Sequence, residues 1–319
     1  MKLPWPTADF TDQAVIVTGA NCGLGLEAAR HFVRLNARKV ILGCRGIAKG
    51  EAAKADIDTT ENRPGAVEVW HLDLASFESV KAFCRRANEL DRLDVVIENA
   101  SLLSFTHELF EGYERQCTVN VISTWLMAIL LLPALRRTKV EFYDKQGKPG
   151  MPHMCIVGSN GHFLTEFQQR NEPSIFEAFR GDFDMYHRYY NTKLLGVLFT
   201  RELAERLDAS GKPQIVLNMV DPGYCWTELL REKPWPRPIM AVMYVADRIL
   251  ARSSEVGSRN YIWAASAGPE SHGIYVEDCG LSTPAPLADS DEGKKLQKRA
   301  FVELLEILER ISPGIIKNI

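Results

Sequence analysis

The chain has 319 residues, 46% of them hydrophobic, and its 38 Lys and Arg against 41 Asp and Glu leave a net charge of −3. The two signs are interspersed without a block of like charge, so a nucleic-acid surface has no compositional support. Seven scattered cysteines (Cys22, Cys44, Cys84, Cys117, Cys155, Cys225, Cys279) form no C-x-x-C pair, which argues for free thiols in a reducing compartment and against a disulfide framework or zinc site.

The opening "MKLPWPTADF" has no apolar core of the kind a secretory leader needs, and a cytoplasmic protein is expected. A first buried strand, "AVIVTG" (14–19), runs into "TGANCGLG" (18–25) and then a helical pattern over 24–37. Gly19, Gly23 and Gly25 let the backbone turn tightly, and the N–H groups of the new helix then face an anion. In this strand-turn-helix context the spacing predicts a dinucleotide pyrophosphate site. The second strand, "KVILGC" (39–44), ends without an acid and is followed by Arg45. A carboxylate there would accept a ribose 2′-OH; a guanidinium suits a 2′-phosphate, so NADP(H) is the expected cofactor.

A helix over 48–60 precedes the third strand, "VEVWHL" (67–72). Asp73, with Leu74 beside it, then stands where a side chain either bonds the adenine amino group or caps the helix over 76–90. The fourth strand, "DVVIEN" (94–99), leads into "ENAS" (98–101), a helix over 113–136 carrying Asn120, and a polar stretch (138–153) that reads as a long loop. The apolar run 125–135 is too short to cross a bilayer and reads as a buried helix.

"MCIVGS" (154–159) ends on Ser159, at the sheet edge where doubly wound folds bind ligands. "YHRYYNTK" (186–193) opens a helix running to 210 and sets Tyr189 four residues before Lys193, on one helical face. At roughly 6 Å and an effective dielectric of about 20, the lysine would favour a phenolate by about 2.8 kcal/mol, roughly two pKa units. Tyr189 is therefore the candidate proton donor, and Tyr186 and Tyr190 are left as packing or pocket wall. Strands over 214–220 and 273–278 and a helix over 293–311 complete the pattern. Strand-helix alternation throughout predicts a single α/β domain over 1–319, a Rossmann-type doubly wound parallel sheet of about seven strands.

Taken in order, "TGANCGLG", "ENAS", Asn120, Ser159, the Tyr189–Lys193 pair and "DPGYCWT" (221–227) resemble the short-chain dehydrogenases/reductases over nearly the whole length. Within that family the chain looks most like the retinol-dehydrogenase-like branch, especially its members in fungal secondary metabolism. The resemblance implies a catalytic set of Asn120, Ser159, Tyr189 and Lys193. It implies a cofactor held by Thr18, Gly19, Asn21, Cys22, Gly23, Leu24 and Gly25, by Arg45, Asp73 and Leu74, and by Asn99 and Ala100. Tyr189, Lys193, Pro222, Gly223 and Thr227 complete that set, and dimers or tetramers are implied as well. Two residues depart from the family's N-N-A-G: Glu98 replaces the first Asn and Ser101 the glycine, the latter either crowding the nicotinamide or adding a hydroxyl.

Lid elements are expected near 160–186 and 224–247. Phe163, Phe167, Phe176, Phe179 and Phe183 in the first, and Trp235, Met240, Met243 and Tyr244 in the second, either wall a pocket or pack a core or interface. His162 either faces that pocket or is structural. The expected activity is an NADPH-dependent ketone reduction or the reverse alcohol oxidation on a bulky hydrophobic substrate. The alternatives are a non-redox enzyme, such as a dehydratase or isomerase, and a non-catalytic NADP-binding protein.

Overall fold

The computed structural model describes residues 3–181, 185–226, 229 and 250–319, with the side chains of 185 and 186 outside that set. The elements in chain order are β1 (Ala14–Thr18), α1 (Gly23–Arg34), β2 (Lys39–Cys44), α2 (Ile47–Thr60), β3 (Val67–His71), α3 (Phe77–Asn88) and β4 (Val95–Glu98). A two-stranded hairpin of β5 (Leu109–Phe110) and β6 (Tyr113–Glu114) precedes one long helix, α4 (Arg115–Asp144). Then come β7 (His153–Val157), α5 (Met185–Ala209), β8 (Val216–Asp221), α6 (Ser254–Ala264), β9 (Tyr275–Glu277), β10 (Gly280–Ser282) and α7 (Asp291–Ile311).

The main sheet has the order β3-β2-β1-β4-β7-β8-β9-β10, all parallel except β10. Its inner strands are apolar on both faces because helices cover both. One layer, with α1, α2 and α6, packs Phe32, Ile57 and Tyr261 against the sheet. The other, with α3, α4, α5 and α7, is built around Trp125, Phe199 and Phe301, whose rings meet edge-on at 5.7 and 5.5 Å. Among the described residues α4 has the length and apolarity of a membrane span, yet it lies mostly buried in this second layer.

Three expectations change. The sheet, expected to have about seven strands, has eight, because β10 returns beside β9 through Asp278 and Cys279, both at positive φ (51° and 57°). That geometry suits a primed hairpin turn, usually signalled by Asn-Gly or Asp-Gly; here the Cys279 N–H is held by Asn260 Oδ1 at 2.7 Å. The stretch from 138 is not all loop: α4 runs on to Asp144 through a π turn, and Tyr143 reaches back to donate to buried Asp94 at 2.8 Å. The helix α6 has no counterpart among the expected elements, although Ser253 caps it through the Val256 N–H.

The start of α5 is tied down by charge. Arg188 and Glu114, both fully buried, pair at 3.2 Å, and Arg188 also donates to the Gly181 carbonyl at 3.0 Å. Removing one partner of such a pair strands the other charge in the interior. Glu114→Ala is expected to lower unfolding stability by about 3–5 kcal/mol, while Glu114→Leu with Arg188→Met loses far less. Urea denaturation of the two variants checks this.

Candidate active site

The strand order reverses between β1 and β4, and the crevice beyond their C-terminal ends is the ligand edge of a doubly wound sheet. The glycine turn lies there. Gly19 and Gly23 have φ of +64° and +59°, conformations that side chains resist. Gly25 is needed for space, since a Cβ there would stand 2.6 Å from Asn99 Nδ2 and 2.7 Å from the Gly19 carbonyl. The turn is locked to β4 from below. Asn99 donates to the Thr18 carbonyl at 2.8 Å and accepts from the Tyr261 hydroxyl at 3.1 Å, and the Thr18 hydroxyl accepts the Ala100 N–H at 2.9 Å. The side chains of Thr18 and Asn99 are therefore spent on the protein, while Asn21, Cys22, Gly23 and Leu24 form the half-buried rim.

Helix caps mark where anions fit. α3 and α7 begin on serines, Ser76 and Ser290, that accept a first-turn N–H, as Ser253 does for α6. α1 and α2 do not: Cys22 and Gly46 provide no side-chain cap, and neither first turn carries an acid. Two helix N-termini at one sheet edge thus keep N–H groups and positive dipole ends for a ligand. Arg45 is exposed at the entry to α2 and makes no hydrogen bond or ion pair with the described residues. Asp73 is not the cap of α3, which is Ser76; one of its oxygens accepts the Ala75 N–H at 3.0 Å. Leu74 is buried beside it.

Along the same edge Ser159 follows β7 and accepts the Gly161 N–H at 3.1 Å. Tyr189 and Lys193, 6% exposed each, face it from α5. Lys193 Nζ lies 5.6 Å from the Tyr189 ring centre and donates to the Val157 carbonyl at 2.9 Å. Asn120 sits in a π turn of α4, an irregularity that often marks a functional site. Its oxygen accepts from the Leu102 N–H and the Ser101 hydroxyl at 2.9 Å, and its amide donates to the Leu102 carbonyl at 2.8 Å. The Ser101 hydroxyl thus turns onto Asn120.

The electrostatics reverse the expectation of an acidic phenol. Burial pushes the Tyr189 pKa above its ordinary value; the Ser159 hydrogen bond opposes this, and Asp221 and Tyr190 add to it. Lys193 is itself buried, which lowers its pKa to about 8 against the pull of Asp221. A lysine deprived of water and held on a carbonyl has little left to spend on its neighbour.

Asp221, a residue that sequence reasoning read only as part of a turn, is 1% exposed. It accepts the Tyr275 hydroxyl at 2.6 Å and the Gly223 N–H at 2.7 Å. Gly223 has φ +76°, and Pro222 turns its carbonyl toward the Cys225 thiol at 3.3 Å. His162 is buried, with Nδ1 2.7 Å from the Ser159 carbonyl, so it props the serine turn. Phe167, Phe176 and Phe179 belong to the core, leaving Phe163 as the exposed ring among the described part of the first insert. Thr227, Phe183, Trp235, Met240, Met243 and Tyr244 lie outside the described residues.

The family profile described as short chain dehydrogenase matches residues 13–141. The chain is 39% identical to the short chain dehydrogenase/reductase dmxR8 of Cryptosporiopsis sp., over 99% of this chain and 97% of that one. It is 42% identical to the short chain dehydrogenase atnD of Emericella nidulans over 87% of each. Among solved structures, a putative short chain dehydrogenase from Escherichia coli CFT073 complexed with NADPH superposes with a TM-score of 0.61 at 20% identity. It covers 86% of this chain and 99% of that one, a likeness of fold.

If the uncapped start of α1 is kept for an anion, Cys22→Asp has opposite effects on folding and binding. The new carboxylate caps the helix and raises stability by about 1 kcal/mol. It also repels a pyrophosphate, so dinucleotide affinity falls at least about tenfold. Thermal melting and titration of tyrosine and tryptophan fluorescence measure the two.

Proposed function

The chain belongs to the short-chain dehydrogenase/reductase family, and on that premise we propose that it reduces the carbonyl of a bulky hydrophobic metabolite using NADPH. The retinol-dehydrogenase-like branch and a role in secondary metabolism are part of this reading, supported by the motif order. The observation that carries it is the meeting of Ser159, Tyr189 and Lys193 at the switch-point edge, with Tyr189 held neutral by burial. When bound, the nicotinamide supplies the hydride. Ser159 orients the carbonyl oxygen through its hydroxyl, and Tyr189 donates its proton to that oxygen as negative charge builds there. A phenol with a raised pKa is a ready donor and a reluctant base, so reduction is the favoured direction.

Arg45 and the uncapped start of α2 suit a 2′-phosphate, and no acid stands nearby in sequence to repel it. Exposed Phe163, Leu164 and Tyr224, following β7 and β8, offer an apolar rim to the substrate. Ser101, the feature that favoured a non-catalytic protein, is engaged by Asn120. None of the seven cysteines forms a disulfide, which suits the cytoplasm.

Tyr189→Phe is expected to cut NADPH oxidation with a ketone panel by at least about 100-fold while NADPH binding persists; full activity in that variant overturns the assignment. Arg45→Asp should weaken NADPH at least about tenfold and spare NADH, as read by KM for each cofactor. Because Lys193 loses its proton near pH 8, the reduction rate should be full below that pH and decline as pH rises through it.

A further inference from the structure

β4 reads Val-Val-Ile-Glu, and all four residues are buried. A carboxylic acid closing a strand covered on both faces is out of place unless something there uses it. Glu98 is 4% exposed, and neither of its carboxyl oxygens has a hydrogen-bond partner among the described residues. It lines a small cavity of about 10 Å³ whose other polar walls are Ser101, Asn120, Thr124, Thr192 and Lys193. That is room for one water, with enough partners to hold it.

We propose that Glu98 is a proton store for the active site, acting through Lys193 by way of a single water in this cavity. The proposal rests on the reductive reading given above. In this role Glu98 acts through Lys193 and is a positioning residue.

In each turnover the Tyr189 O–H bond breaks and its proton becomes the hydroxyl proton of the product alcohol. Lys193 returns a proton to Tyr189, breaking one N–H bond. The neutral amine takes a proton from the cavity water, which takes one from the Glu98 O–H. The balance is one proton moved from Glu98 to product, leaving a carboxylate facing a restored ammonium. Solvent reprotonates Glu98 before the next cycle.

The surroundings suit this role. Burial raises the Glu98 pKa well above its ordinary value, so the resting acid holds its proton. From α3 the Cys84 thiol faces it, buried and itself kept protonated. From α4 come Asn120 and Thr124, from α5 Thr192 and Lys193, and from β7 and β8 the apolar Ile156, Val157 and Met219. Among these described groups Lys193 is the cation, and Asp221 acts on it from the end of β8.

Glu98→Gln keeps the size of the side chain and removes the acid proton. Infrared difference spectra of the free proteins at neutral pH should show a protonated-carboxyl band in the wild type that the variant lacks. No such band overturns the proposal, whether or not any ketone is reduced. In ketone reduction the variant should lose about tenfold in kcat at alkaline pH, its alkaline limb should fall by about one pH unit, and KM for NADPH should hold. An active variant with an unchanged pH profile also overturns it. Glu98→Asp, which keeps an acid, should restore the limb, and thermal melting controls for folding. A wild type that reduces no ketone counts against the proposed function, while the infrared result still decides on Glu98.

Discussion

A lysine amine shut away from water must find oxygen partners inside the protein, and the end of this sheet is organised around that need. Lys193 is carried by α5 to a point where three strands finish. β7 supplies the Val157 carbonyl, Asp221 at the end of β8 acts on the amine through its charge, and β4 brings Glu98 to the cavity beyond. Asp221 is fixed in turn by Tyr275 on β9 and by the N–H of Gly223. Each helix or strand can be described by its own periodicity, yet their ends are held in common by one buried charge.

The same principle, polar groups satisfied or deliberately left over, separates the two halves of the crevice. On the nucleotide side the capping serines of α3, α6 and α7 have no counterparts on α1 and α2. The orphan N–H groups there carry an incentive to meet phosphate. On the chemistry side the positioning groups are already engaged, Glu98 apart: Asn120 by Ser101 and Leu102, Ser159 by Gly161, and the Ser159 carbonyl by His162. A site that must hold reacting atoms within fractions of an ångström benefits from such prior engagement. The buried pair Arg188–Glu114 extends it to the first turn of α5, one residue from Tyr189.

Where sequence reasoning went astray, burial was the missing quantity. The lysine four residues from Tyr189 promised an acidic phenol through Coulomb attraction, but desolvation of both groups outweighs it. The phenylalanines after Ser159 left pocket wall and core packing equally open; three of them pack the core, which their spacing could not reveal. β10 and the extension of α4 escaped notice because each is held by a distant residue, Asn260 in one case and Asp94 in the other.

The amino-acid sequence by itself determined the doubly wound α/β class, seven of the eight strands of the main sheet, the glycine turn, and the order of Asn120, Ser159, Tyr189 and Lys193. These follow from local signals: strand and helix periods, glycines at a strand-helix junction, and a four-residue spacing along one helix. Tertiary structure decided the protonation of Tyr189 and Lys193, the engagement of Ser101, the part played by Asp221, and the isolation of Glu98. Those depend on solvent exposure and on partners far apart in the chain, such as Asp221 and Tyr275. No local pattern encodes how much water reaches a side chain.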